Sequence, residues 1–218
     1  MDEDGAIRER ARMVERQLAG RGIRDARVLA AMRELPRHRF VSPEQRAFAH
    51  DDRALPIGRG QTISQPLMVA LMLQEAAIGP DARVLEVGAG SGYLAALLGR
   101  LAREVFALEL DPELAAKARA RLAELGIANV ELRAGDGSRG WREHAPFDAI
   151  LVSAAAERIP PALEAQLAPG GRLLAPVGPR HGSQSLVRVT RRGAEDWERR
   201  ELCEVQFVPL VGATESSR

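Results

Sequence analysis

Three glycines at alternate positions follow an acid in Glu86-Val-Gly88-Ala-Gly90-Ser-Gly92, inside the run VLEVGAGSGYLAALL from Val84 to Leu98. An apolar run, a glycine turn and a helix-like pattern form a strand-to-helix corner, a usual place for a nucleotide-like ligand. The dinucleotide fingerprint G-x-G-x-x-G would put its third glycine at Tyr93, and no G-x-x-x-x-G-K-[ST] occurs. Spacing therefore rules out the pyrophosphate and P-loop readings. Two more acids, Glu109 in VFALELD and Asp136 in AGDG, end the next two strand-like runs. One acid per strand end, in order, is more than a packing pattern requires. Other chemistries find few residues. Cys203 is the only cysteine, which excludes an internal disulfide framework and a cysteine zinc cluster. His38, His50, His144 and His181 are scattered, fall in no motif and read as surface or loop residues, so no metal site is expected.

The elements that must position these residues alternate regularly from Pro66 onward. QPLMVALMLQEAA reads as a helix, ARVLEVG as a strand, GYLAALLGRLA as a helix, EVFALEL as a strand and DPELAAKARARLAELG as a helix. NVELRAG and FDAILVSAA follow as strands, IPPALEAQLAPGG as a helix and RLLAPVG as a strand. This alternation predicts an α/β fold with a doubly wound, mostly parallel, Rossmann-like sheet of seven strands. The closing runs SLVRVTRRG and RRELCEVQFVPLVG lack an intervening helix and predict an antiparallel C-terminal edge. Before Pro66 the pattern changes. One helix is expected over AIRERARMVERQLAG, with Ile7, Val14 and Leu18 on its inner face and a stop at Gly20. Another is expected over DARVLAAMREL, capped by Asp25, burying Val28, Leu29, Met32 and Leu35 and ended by Pro36. FVSPEQRAFAHDDRALPIGRGQTIS then reads as a loop, and its length marks it as functional. The expected organisation is a helical extension with a substrate loop over 1–60, a catalytic domain over 61–212 and a disordered tail over 213–218.

Composition sets outer limits. The 218 residues carry 31 Lys and Arg against 30 Asp and Glu, a net charge of +1, so no global field draws the chain to nucleic acid or an anionic membrane. Lys117 is the only lysine and Asn129 the only asparagine. A GC-rich genome accounts for that bias better than function does. The charged start MDEDGAIRER and the absence of a long apolar run imply a cytoplasmic protein without a membrane span. Such a chain is expected to be a monomer.

The G-x-G-x-G turn behind an acid resembles motif I of the class I S-adenosylmethionine-dependent methyltransferases. That donor carries a sulfonium and an amino group, so the resemblance makes Glu86 a favourable neighbour. It also implies that Gly88, Gly90 and Gly92 admit the donor's methionine end, that Glu109 accepts from ribose hydroxyls, and that Asp136 and Gly137 meet the adenine. The segment LPIGRGQTISQPLMVALM, Leu55 to Met72, is similar to the pattern P-L-P-I-G-x-G-x-T-I-S-x-P of the protein-L-isoaspartate O-methyltransferases. The resemblance continues through AGDGSRGW, PFDAILVSAAAERIPPAL, QLAPGGRLLAPVG and FVPLVG, covering roughly residues 13–212. It departs from the family at His50-Asp51-Asp52-Arg53-Ala54, where Tyr-x-Asp-x-Pro is common.

The family resemblance implies methyl transfer from S-adenosyl-L-methionine to the α-carboxylate of L-isoaspartyl residues in damaged proteins and peptides. Ester formation then allows a succinimide to close. Ser64 is the implied catalytic residue, Gln61 and Thr62 share its pocket with the donor, and Ile63, Ser153, Ala154 and Ala155 meet the substrate. A carboxylate with a pKa of ~4 is already ionised at pH 7 and needs no base. Ser64 read without the family would instead cap the helix starting near Pro66, and the two roles are compatible. A methyltransferase acting on a small-molecule carboxylate is the second reading. It shares the donor site but has no reason to keep Thr-Ile-Ser-Gln-Pro.

Overall fold

The computed structural model describes residues 3–180 and 182–212. The tail at 213–218, expected to be disordered, and His181 lie outside the described residues. Chain order begins with α1 (Glu3–Arg12), which widens into a π turn over Met13–Leu18 and a 3-10 turn over Ala19–Arg21; α2 (Ala26–Glu34) follows. Asp25 caps α2 as expected, accepting from the backbone N–H groups of Arg27 and Val28. Leu35 is extended ahead of Pro36, because a residue preceding proline disfavours the helical region. The inner face of α1 differs from expectation. Ile7 is 47% exposed, and the buried stripe passes through Ala6, Arg10, Met13, Val14 and Leu18 instead. Arg10 can occupy that stripe because its Nε donates to the Arg33 carbonyl. Leu29 is only partly buried.

The segment expected to be an open loop has structure of its own. It makes 3-10 turns over Arg37–Phe40 and Pro43–Phe48, then an antiparallel hairpin of β1 (Leu55–Gly58) and β2 (Gln61–Ile63). The hairpin straddles residue 60. Gly58 and Gly60 lie at φ 91° and 71°, with Arg59 at 57° between them, the left-handed conformations a tight reversal demands. A polar, glycine-rich stretch only three to four residues per strand has too few alternating positions to be read as sheet.

The main sheet has seven strands in the order β5-β4-β3-β6-β7-β8-β9. These are β3 (Arg83–Val87), β4 (Glu104–Glu109), β5 (Val130–Ala134), β6 (Phe147–Val152), β7 (Leu167–Val177), β8 (Gln184–Arg191) and β9 (Trp197–Val205). The first five pair in parallel; β7-β8 and β8-β9 are antiparallel, as the closing runs implied. Alternate residues feed two cores: Val84, Val105 and Leu151 point to one face, Leu85, Phe106 and Ile150 to the other. The first face carries α3 (Pro66–Ala76), α4 (Tyr93–Leu101), α5 (Pro112–Glu124) and the N-terminal helices; α6 (Pro161–Ala165) packs on the second. The sixth helix is much shorter than IPPALEAQLAPGG suggests. Pro169 cannot continue a helix and Gly170 sits at φ 79°, so Ala168–Gly171 bulges between the Phe147–Leu167 and Ala149–Arg172 pairs of the sheet.

Candidate active site

Strand order reverses between β3 and β6, and the loops leaving their carboxyl ends flank the crevice where open α/β sheets bind ligands. The turn after β3 is built for close backbone approach: Gly88, Gly90 and Gly92 have φ values of 86°, 53° and 84°, a region L side chains rarely enter. Its amides are tied to the neighbouring strand end. The N–H groups of Gly88 and Ala89 donate to the Leu108 carbonyl at 2.8 and 3.1 Å. Glu109 accepts from the Gly90 N–H at 2.7 Å through one carboxylate oxygen and from the Asp111 N–H at 2.9 Å through the other.

Gly88, Ala89, Gly90, Leu108 and Glu109 line a cleft together with Gln61, Thr62, Ile63, Ser64, Glu86, Gly137, Ser153 and Ala154. Glu86 is 1% exposed and its Oε2 has no hydrogen-bond partner. Burial first, and the nearby Glu109 second, push its carboxyl well above the usual carboxylate range. A buried, unsatisfied carboxyl group facing a cleft is costly unless a ligand satisfies it. The cationic methionine end and ribose hydroxyls of S-adenosylmethionine match this donor and acceptor set, so the residues fit that cofactor.

Three expected contacts sit elsewhere. Asp136 does not line the cleft; its Oδ1 accepts from the Ser138 N–H and hydroxyl at 3.0 and 2.7 Å, capping a 3-10 turn over Gly137–Arg139. Gly92 lies behind the turn, where an added Cβ would stand 3.0 Å from Ala118 Cβ on α5. Ala155 spends its backbone on the C-terminal segment, donating to the Val208 carbonyl and accepting from the Leu210 N–H at 2.7 Å each. That segment, Val208 to Val211, forms a cleft wall for which the residue types offered no functional signal. FVPLVG is apolar apart from its backbone, and only its place after β9 brings it over the glycine turn.

A second cleft opens beside the first. It is lined by Arg21, Ala54, Met68, Glu204 and Phe207 among others, and it shares Thr62, Ser64, Ser153 and Val208 with the first. The hairpin brings Thr62 and Ser64 to this common wall. Ile57 reaches over the glycine turn, 3.3 Å from where a Gly90 Cβ would stand, and Arg59 Nε donates to Asp111 Oδ2 at 2.7 Å. Ser64 is not the helix cap. Gln65 holds the N-cap position of α3 and makes no side-chain cap bond, and the Ser64 hydroxyl makes no hydrogen bond among the described residues.

Two of the histidines differ from expectation. His38 and His50 are buried, at 9% and 6% exposure, with ring centroids 6.0 Å apart. Burial is the largest influence on both and lowers both imidazoles, His50 to about 4. His144 is partly exposed and stacks on Phe106. Among the described residues no group of three or more His, Cys, Asp or Glu could hold a metal.

A seven-stranded, mostly parallel sheet with a glycine turn tied to the strand-end acid Glu109 at its switch point is the architecture of the class I S-adenosylmethionine-dependent methyltransferases. The profile of the protein-L-isoaspartate(D-aspartate) O-methyltransferase family matches residues 8–215 of this chain, which belongs to that family. A protein-L-isoaspartate O-methyltransferase of Methylorubrum extorquens is 58% identical over 202 residues, 93% of this chain and 88% of its own. One from Pelobacter propionicus is 53% identical over 201 residues, covering 92% and 89%. A solved Plasmodium falciparum protein described as a protein-L-isoaspartate O-methyltransferase, in complex with S-adenosyl-L-homocysteine, superimposes with a TM-score of 0.80. It is 26% identical, and the match covers 93% of this chain and 98% of that one.

Proposed function

We propose that the two clefts divide one methyl transfer between them, the donor lying over the glycine turn and the acceptor carboxylate reaching it past Ser64. The chain is an S-adenosylmethionine-dependent protein-L-isoaspartate O-methyltransferase, methylating isoaspartyl proteins and peptides. The observation that supports the division of labour is the common wall of Thr62, Ser64, Ser153 and Val208. Reacting atoms drawn from two clefts can meet only where the clefts join.

When bound, the donor supplies an electrophilic methyl on a positively charged sulfur. Methyl transfer from it is an in-line displacement, so the protein's main task is alignment. An acceptor carboxylate oxygen would take that methyl as the carbon–sulfur bond parts with its electron pair on sulfur, so no residue of the chain has to supply or remove a proton. Glu86 and Glu109 hold the donor's cationic and hydroxyl-bearing parts, and Gly137 leaves room beside them. The free Ser64 hydroxyl donates to the acceptor carboxylate and orients one oxygen. Ile63, Ser153 and Ala154 are the small or apolar surfaces against which the substrate backbone lies. The repair that follows, succinimide closure and hydrolysis, needs no further group from the protein.

In this reading the extension over 1–60 lies on the acceptor side, the donor machinery lies in 61–212, and the hairpin of Leu55–Gly58 and Gln61–Ile63 joins the two. Among the described residues no helix is long and apolar enough to cross a membrane. Ser64→Ala tests the assignment directly. Loss of one hydrogen bond to a charged acceptor, worth about 1.5 kcal/mol, should lower kcat for an isoaspartyl peptide about tenfold. Donor affinity by titration calorimetry should stay the same; an equal loss of donor binding would remove Ser64 from the reaction.

A further inference from the structure

Arg37 opens the 3-10 turn ahead of the hairpin and is completely buried. Its Nε donates to the Ala49 carbonyl at 2.8 Å and its Nη2 to the Ser64 carbonyl at 2.9 Å, while Nη1 has no partner. The guanidinium carbon lies 4.8 Å from the ring centroid of Tyr93. Phe40, from the same turn, meets that ring edge-on with centroids 5.3 Å apart. Tyr93 is the first residue of α4, directly after the glycine turn, and lines the donor cleft.

No carboxylate pairs with Arg37 among the described residues. A buried cation held only by neutral groups is an expensive way to gain stability, and an apolar side chain of similar volume would fill the space at lower cost. What the guanidinium adds is geometry. Its planar fork donates hydrogen bonds in fixed directions; here they end on the Ala49 carbonyl and on Ser64 at the common wall, while the guanidinium carbon stands over the Tyr93 ring at the start of α4. The titratable groups that act on the guanidinium are Tyr93 and Asp52, and the guanidinium in turn is one of the cations that help keep His50 neutral. None of them replaces the bond to Ser64.

We propose that Arg37 is a positioning residue for methyl transfer, its guanidinium locking the Ser64 backbone to Tyr93 and so fixing the acceptor segment against the donor helix. This rests on Ser64 standing at the reacting centre. Arg37 touches neither substrate nor donor and acts through those two residues.

The test is a double-variant cycle of Arg37→Met and Ser64→Ala in the full chain. Turnover of an isoaspartyl peptide, S-adenosylhomocysteine affinity and melting temperature are read for each. Misplacing the acceptor segment by about an ångström should lower kcat about 10- to 100-fold in Arg37→Met, with S-adenosylhomocysteine binding within about threefold of the parent. Because Arg37 works through Ser64, the double variant should be no slower than the slower single variant. Arg37→Lys, which keeps one donor and the charge, should recover part of the rate; if Arg37→Met does not fold, the same cycle is run with Arg37→Lys. Rates that multiply in the double variant, or parallel loss of turnover and product binding in Arg37→Met, overturn the proposal. An unchanged kcat in Ser64→Ala alone refutes the Ser64 reading instead.

Discussion

Replacing Glu86 with Gln should move stability and donor affinity in opposite directions. Glu86 is in register with Ala107 on the neighbouring strand, so Glu109 lies two residues further along that strand. One strand spacing across and two residue rises along put the two positions roughly 8 Å apart. At an effective dielectric near 20, two negative charges at that separation repel by about 2 kcal/mol, and burial adds to the penalty on ionisation. The carboxyl therefore keeps its proton in the folded, ligand-free protein at pH values where the unfolded chain has lost it. With a raised folded-state pKa, the native state binds more protons, and the parent loses stability as pH rises above the unfolded value near 4.3. Glu86→Gln removes that slope. Near neutral pH the ligand-free variant should gain about 2 kcal/mol, a melting-temperature rise of roughly 4–8 °C in a domain this size. Donor affinity should fall, because an ionised Glu86 facing a cationic ligand contributes about 1.5–3 kcal/mol, or roughly 10- to 150-fold in Kd. Thermal unfolding between pH 5 and 8 and calorimetric titration with S-adenosylmethionine read the two effects. A variant that loses stability and donor affinity together would refute this reasoning, making Glu86 an ordinary structural carboxyl.

Two other perturbations probe the surroundings. Gly137→Ala would set a Cβ 2.4 Å from Val87 Cγ1 at a backbone conformation that needs no glycine, so the effect is steric. A cost of about 1–3 kcal/mol and weaker donor binding are expected from urea unfolding and titration; an unperturbed protein would mean Val87 can turn away freely. His50, held neutral down to about pH 4, stays uncharged in the fold while the unfolded chain binds a proton below about 6.5. Its depressed pKa gives stability that is full above 6.5 and lost as pH falls, about 2 kcal/mol by pH 5. His50→Gln should flatten that part of the urea-midpoint profile, and an unchanged slope would place the proton uptake elsewhere.

The parallel core was legible because its central strands β3, β4 and β6 carry the apolar runs and turn residues that a doubly covered sheet requires. Glu86 and Glu109 were legible as cleft residues from their places at strand ends, whereas Asp136, read by the same rule, caps a 3-10 turn instead. Other features were hidden for identifiable reasons. Arg37, His38 and His50 sit in stretches with no apolar period, so nothing in PRHRF or FAHDD distinguishes a buried polar cluster from a solvated loop. Arg10 displaced Ile7 from the core because a backbone carbonyl 23 residues away receives it. The C-terminal wall of the donor cleft depends on Ala155 pairing with Val208 and Leu210, contacts more than 50 residues apart in the chain. Long-range backbone pairing of this kind leaves no local pattern.

The central claim is selective methyl transfer to isoaspartyl carboxylates. One synthetic peptide made in two versions, L-isoaspartyl and normal L-aspartyl, is incubated with the enzyme and S-adenosylmethionine and followed by mass spectrometry. The account predicts a base-labile methyl ester, then succinimide, on the isoaspartyl version alone. Equal reaction of both peptides, or reaction of neither by a protein that still binds the donor, would contradict it.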